Sequence, residues 1–151
     1  MSDPTGASKV TGYIWFNQEG KGKPVTYYGD VKGLTPGKHG FHTHTGNGNK
    51  AITACTDLSG HFNPDSKEHA GPKIDYKLRH RGAQGNILAD AKGEATVWKT
   101  VDGVSLIFGE AENIVGRSIV VHAGEDDLGL GGAADSKTTG NAGGRVACCN
   151  I

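Results

Sequence analysis

Sixteen basic and sixteen acidic side chains cancel across 151 residues. A chain of this size is expected to form one domain, residues 1–151, with bulk charge favouring neither nucleic acid nor an anionic membrane as partner. No run of about 18 apolar residues is present to make a spanning helix, and Met1–Lys9 lacks the basic-then-apolar order of a secretory signal, so a cytoplasmic protein is expected.

In chain order, "KVTGYIWFNQ" (Lys9–Gln18) is β-branched and aromatic, with Val10, Ile14 and Phe16 on one face and Thr11, Tyr13 and Trp15 on the other. "EGKGKP" turns the chain into a second strand pattern, Val25–Leu34, and "TPGKHG" turns it again into "GFHTHT" (Gly40–Thr45). "GNILADAKGEATVWKT" (Gly85–Thr100) reads as a hairpin around Asp90–Gly93. Val104–Gly109, Gly116–Ala123 and a short Gly144–Asn150 are three further strand patterns. No segment sustains a 3.6-residue apolar period, so helix content should be small. Twenty-five glycines, scattered rather than clustered, suit many tight turns. The expectation is an all-β, Greek-key β-sandwich or barrel of seven to eight antiparallel strands, with two long loops at 46–85 and 124–144. Long loops without periodicity are usually functional or anchored.

The seven histidines are His39, His42, His44, His61, His69, His80 and His122. His42 and His44 are two apart on a strand and so share a face, while His61, His69 and His80 recur within the first long loop and His122 ends the apolar run "SIVVH". A lone histidine is ordinarily solvated or hydrogen-bonded. Six on two strand ends and one loop form a metal-ligand pattern, and imidazoles with few carboxylates suit copper or zinc rather than calcium or magnesium. Of the cysteines, Cys55, Cys148 and Cys149, adjacent strand residues face opposite sides, so only one of the last two can easily bridge to Cys55. Three free thiols, the base rate for cytosolic proteins, are the alternative.

Taken together, "GFHTHT", "CTDLSGHFNP", "HAGP", "GRSIVVHAGEDDLG" and "TGNAGGRVAC", in that order, make the chain resemble the copper–zinc superoxide dismutases from about Lys9 onward. The resemblance implies an eight-stranded Greek-key barrel. It assigns copper to His42, His44, His61 and His122, and zinc to His61, His69 and His80, with His61 as the bridging imidazolate. It further implies that Asp126 links a copper histidine to a zinc histidine, His42 to His69, and that Arg145 holds the superoxide anion. Cys55 and Cys148 correspond to the family's disulfide, and His39 to a structural histidine outside the metal site. The implied reaction is dismutation of superoxide to dioxygen and hydrogen peroxide by cycling copper(II) and copper(I), with His61 and Arg145 as the catalytic residues. A copper-delivery chaperone is a candidate partner.

The chain departs from the family pattern in several places. The zinc-site aspartate is replaced by Ala83 in "HRGAQGN", which predicts zinc weakly bound or absent unless Asp75 serves as a substitute ligand. Extra residues lie in "KIDYKLRH" and "TGNGNKAITAC". "MSDPTGAS" reads as coil where a first strand is expected, and "CCNI" lacks an apolar tail, so both count against the family's homodimer. Lys137 is the only cation between His122 and Arg145, and Gly124 and Leu130 stand where family members often carry lysines, predicting weaker steering of the anion. The rival reading is a non-catalytic copper- or zinc-binding protein, a copper buffer on the same fold.

Overall fold

A computed structural model of the chain describes residues 1–46 and 50–151; part of the enlarged Thr45–Cys55 stretch therefore lies outside the described residues. Seven strands occur among the described residues: β1 Thr11–Gln18, β2 Val25–Lys32, β3 Gly37–His44, β4 Ala83–Ala89, β5 Ala95–Val101, β6 Ser118–His122 and β7 Arg145–Asn150. The only helical pieces there are one-turn segments, at Cys55–Leu58, Tyr76–Leu78 and α1 Ser136–Thr139. The strands form two antiparallel sheets, in the orders β1-β2-β5 and β4-β3-β6-β7. β3 pairs with β6 across a long sequence gap, so the all-β Greek-key expectation holds.

Alternation drives the packing. Along β2, Val25, Tyr27 and Val31 are fully buried while their neighbours reach the surface, as expected for a sheet with one wet face. They meet Phe41, Ile87, Val97, Ile119 and Val121 in one apolar core between the sheets. Phe16 and Tyr27 pack edge to face at 4.9 Å, a favoured aromatic geometry. β6 is buried along its whole length, matching its apolar Ile119–Val121 run and its place between β3 and β7.

Two sequence expectations need correction. The runs either side of Asp90–Gly93 are strands joined by a tight turn, with Asp90 Oδ1 accepting from the Lys92 and Glu94 amides. They do not pair with each other, since β4 joins β3 and β5 joins β2. A turn signal fixes where the chain reverses, not which open edge the next strand takes. Val104–Gly109 is not a strand. Its backbone is spent outside any ladder: the Gln18 side chain accepts from the Leu106 amide at 2.8 Å, and Ser105 exchanges backbone hydrogen bonds with Glu112 and Ile114. At the N-terminal end, residues 3–9 are irregular as expected, but Ser2 forms bridges to both Thr11 and Cys148. Its amide donates to the Cys148 carbonyl at 3.1 Å and its carbonyl accepts from the Cys148 amide at 2.9 Å. This one-residue link joins β1 and β7, the outer strands of the two sheets, where an unpaired edge would otherwise invite association.

Candidate metal centre

β3 carries His42 and His44, and β6 carries His122 at its end. The register sets His42 opposite Val120 on one side and Ala83 on the other, with a bulge between Gly40 and His42. The loop histidines are tied to this sheet by backbone: His44 and His61 form a bridge, the Phe62 amide donates to the Thr43 carbonyl, and the Thr43 amide to the Gly82 carbonyl, both at 2.9 Å. The Cys55–Cys148 disulfide, with Cα atoms 5.7 Å apart, anchors the same loop to β7. That bond closes a span of 93 residues, for which a chain-entropy estimate gives a stabilisation of about 4–5 kcal/mol. Cys149 stays free, and burial pushes its thiol pKa up, the opposite of an activated thiol.

Six histidines converge. His42, His44, His61 and His122 bring ligand atoms within 4.8 Å of one another, as do His61, His69 and His80. Hydrogen bonding fixes which nitrogen is available on four of the rings. His44 Nδ1 donates to the Ser59 carbonyl at 2.9 Å and His122 Nδ1 to the Gly143 carbonyl at 3.0 Å, so both keep a lone pair on Nε2. Those two Nε2 atoms face each other at 3.3 Å. His42 Nε2 donates to Asp126 Oδ2 at 2.9 Å and His69 Nε2 to Asp126 Oδ1 at 2.7 Å, which leaves each Nδ1 buried without a partner. His61 Nε2 is also buried and unpartnered, while its Nδ1 lies 3.2 Å from His80 Nδ1.

Buried lone pairs pointed at one another are costly unless a cation sits among them. Four imidazole nitrogens thus fit copper on one side of His61, and three fit a second ion such as zinc on the other. His61 belongs to both groups, so one ring could serve both ions. Burial, foremost, drives the histidine pKa values down: His44 to about 2, His80 and His122 to about 4, and His61 well below the ordinary value. The rings are therefore neutral donors at pH 7, the form a metal requires. Burial opposes ionisation of Asp126, yet hydrogen bonds from His42 and His69 outweigh it and hold the carboxyl below the usual range.

The sequence-predicted residues fall out as follows. Asp126 joins His42 and His69 in a third convergent group. His39 is buried against the carbonyls of His122 and Thr35 and joins none of the groups. Asp75 is exposed, and its carboxylate accepts from the Lys77 amide at the start of Tyr76–Leu78; it is not brought to the second group. Ala83 is buried, its amide donating to the His80 carbonyl at 3.1 Å, so no carboxylate occupies that position. Arg145 donates to the carbonyls of Cys55 at 2.7 Å, Thr56 at 3.3 Å and Ser59 at 2.6 Å. It lines, with His44, His61, His80 and His122, one cavity of about 670 Å³.

Two contributors carried no sequence signal. Asn86 clamps Asp126, donating from Nδ2 to its carbonyl at 2.8 Å and accepting its amide on Oδ1 at 2.7 Å. Gly140, the left-handed residue after α1, leaves room where a Cβ would run into both Asp126 Oδ1 and His69 Nε2. An asparagine and a glycine are too common to stand out without the fold that places them.

The model of the copper/zinc superoxide dismutase family matches residues 10–151. That span covers all seven strands and every convergent histidine, and the chain belongs to the copper/zinc superoxide dismutase family.

Proposed function

We propose that the chain is a copper-dependent superoxide dismutase with a weak second, zinc-type site. The observation that carries this reading is Arg145, a fixed guanidinium on the same cavity as His44, His61 and His122, three members of the four-nitrogen group. Storage of a metal needs no anion dock, whereas turnover of a small anion does, so the same residue argues against the copper-buffer alternative.

Copper, when bound, supplies the one-electron couple that oxidises one superoxide to dioxygen and reduces another to peroxide. The chain's own residues do the rest. Three carbonyls hold the Arg145 guanidinium, which stays charged and can pair with a monoanion in the cavity it lines. His61 is the residue positioned to hold or deliver a proton at Nε2, since it alone of the three histidines with an unpartnered ring nitrogen lines the cavity that Arg145 lines. Asp126 keeps the His42 and His69 rings in the tautomer that presents Nδ1. Attraction from farther out is slight, because Lys137 lies 3.9 Å from Glu68 and Asp135 lines the cavity. All ligands come from one chain, so the centre needs no second subunit for completion. A cytoplasmic setting, with copper delivered by another protein, belongs to the same proposal.

Copper and zinc per chain, measured beside dismutation before and after copper loading, test the reading. Loading should bring one copper per chain and activity with it. Arg145→Ala should keep the copper and lower kcat/KM by about tenfold or more, the scale of losing one preorganised charge contact. Full copper occupancy without activity would overturn the proposal in favour of buffering.

A further inference from the structure

The chain's only two tryptophans, Trp15 and Trp98, are both on the outer face of the β1-β2-β5 sheet, and both are open to solvent. The register sets Trp15 opposite Tyr28 and Tyr28 opposite Trp98, so the three rings form one row across the strands. Their exposures are 59%, 36% and 73%, and the Tyr28 and Trp98 centroids are 5.7 Å apart. With strands spaced about 4.8 Å apart, such a row spans roughly 10 Å. Cross-strand packing explains why aromatic rings neighbour one another. It does not explain two indoles left in water, where a patch of this kind marks a binding surface.

The surroundings select the occupant. Beside the row runs a polar line in which Tyr13 Oη donates to Asp30 Oδ2 at 2.7 Å and Thr96 Oγ1 to Asp30 Oδ1 at 3.0 Å. Of the outward positions on these strands only Lys32 is cationic, and it pairs with Glu94 at 3.2 Å. A phosphate backbone therefore finds no complementary charge, although stacking rings alone would accept bases. A second copy of the chain is also a poor match. Three partly exposed rings offer on the order of 350 Å², well short of the roughly 800 Å² per partner of a standard stable interface. What remains is a narrow, flat, uncharged ligand with an apolar face and a hydroxylated edge.

We infer that the Trp15–Tyr28–Trp98 row is a docking platform for an extended neutral glycan of β-1,4-linked pyranoses. The C–H faces of successive sugar rings lie on the aromatic rings, and sugar hydroxyls reach the Tyr13–Asp30–Thr96 line. The platform is on the sheet that carries no metal-site histidine, so binding there is independent of the proposed dismutation.

Because both tryptophans are in the row, the whole indole emission reports on it. Titration with cellohexaose or chitohexaose should shift that emission saturably, with maltohexaose, which curls, a weaker ligand. Trp98→Ala should weaken the response of Trp15 by about threefold to tenfold, the scale of one aromatic contact, while its thermal midpoint and dismutation confirm that it is folded. Tyr28→Phe should keep binding. No emission change with millimolar cellohexaose or chitohexaose overturns the inference. So does a saturable response to oligo-dT in place of the sugars, or a dimer in sedimentation that Trp98→Ala dissolves.

Discussion

Ala83 stands at the start of β4, opposite His42 and one turn after His80, where the family resemblance calls for a carboxylate. Three imidazoles without a carboxylate leave the second group one protein ligand short of a closed four-ligand site, so zinc should bind weakly. Ala83→Asp should change the two states of the protein in opposite directions. Without metal, a carboxylate at this buried position costs roughly 1–3 kcal/mol and lowers the thermal midpoint. With zinc present, it becomes a ligand and enlarges the zinc-induced rise in midpoint. Calorimetry with and without one equivalent of zinc checks this; one tightly held zinc in the unsubstituted protein, or an unchanged zinc response in the variant, would contradict it. The histidines themselves were legible in the sequence, because imidazoles repeated in a loop without a core have few other uses. Asp75 shows the limit of such reading: spacing reveals a carboxylate but not which donor holds it, here the Lys77 amide.

At the level of elements, four amino acids of helix do more for the site than their length suggests. α1 ends at Gly140, whose backbone sits at φ 72° and whose missing side chain makes room for the Asp126–His69 hydrogen bond. Gly140→Ala should therefore break that link and weaken metal binding at His69 by about 10–100-fold, the usual effect of losing a partner behind a ligand. Gly109→Ala is the matched control: it too has positive φ, 86°, but nothing lies within reach of its Cβ, so it should lose stability by about 1 kcal/mol without changing metal affinity. Equal metal affinities in the two variants would refute the steric argument. β1, β2 and β6 were readable from alternation or apolar continuity. Val104–Gly109 was not, because its composition favours a strand while its hydrogen bonds go to Gln18 and to its own loop. β propensity describes a fit to a pleated surface, and no ladder partner is offered there.

Across the whole molecule, the centre concentrates buried neutral histidines in a fold of otherwise balanced charge. In the metal-free protein the folded-state pKa values of His80 and His122 are near 4, against about 6.5 when unfolded. The unfolded chain thus binds more protons between those values, so stability falls as pH drops through about 6.5 toward 4. Each of the two contributes a loss of roughly 1–2 kcal/mol by pH 5, and His42, His44 and His61 push the same way. The depressed carboxylates act in a lower window: Asp126 and its like lose their contribution only below about 4. Thermal midpoints of metal-free protein at pH 7.5, 6 and 5 should fall steadily, and a flat profile would contradict the burial of neutral rings. Copper loading should flatten it. β7 also bears on how the molecule is made. It supplies Arg145 and Cys148, and its Cys148 backbone receives Ser2, whereas His42, His44, His61, His69 and His80 all lie well upstream of it in the chain. On a ribosome, the growing chain therefore holds five of its metal-site histidines long before the strand that locks their loop has been synthesised. Metal met at that stage finds ligands without a scaffold, so faithful loading belongs after release of the chain.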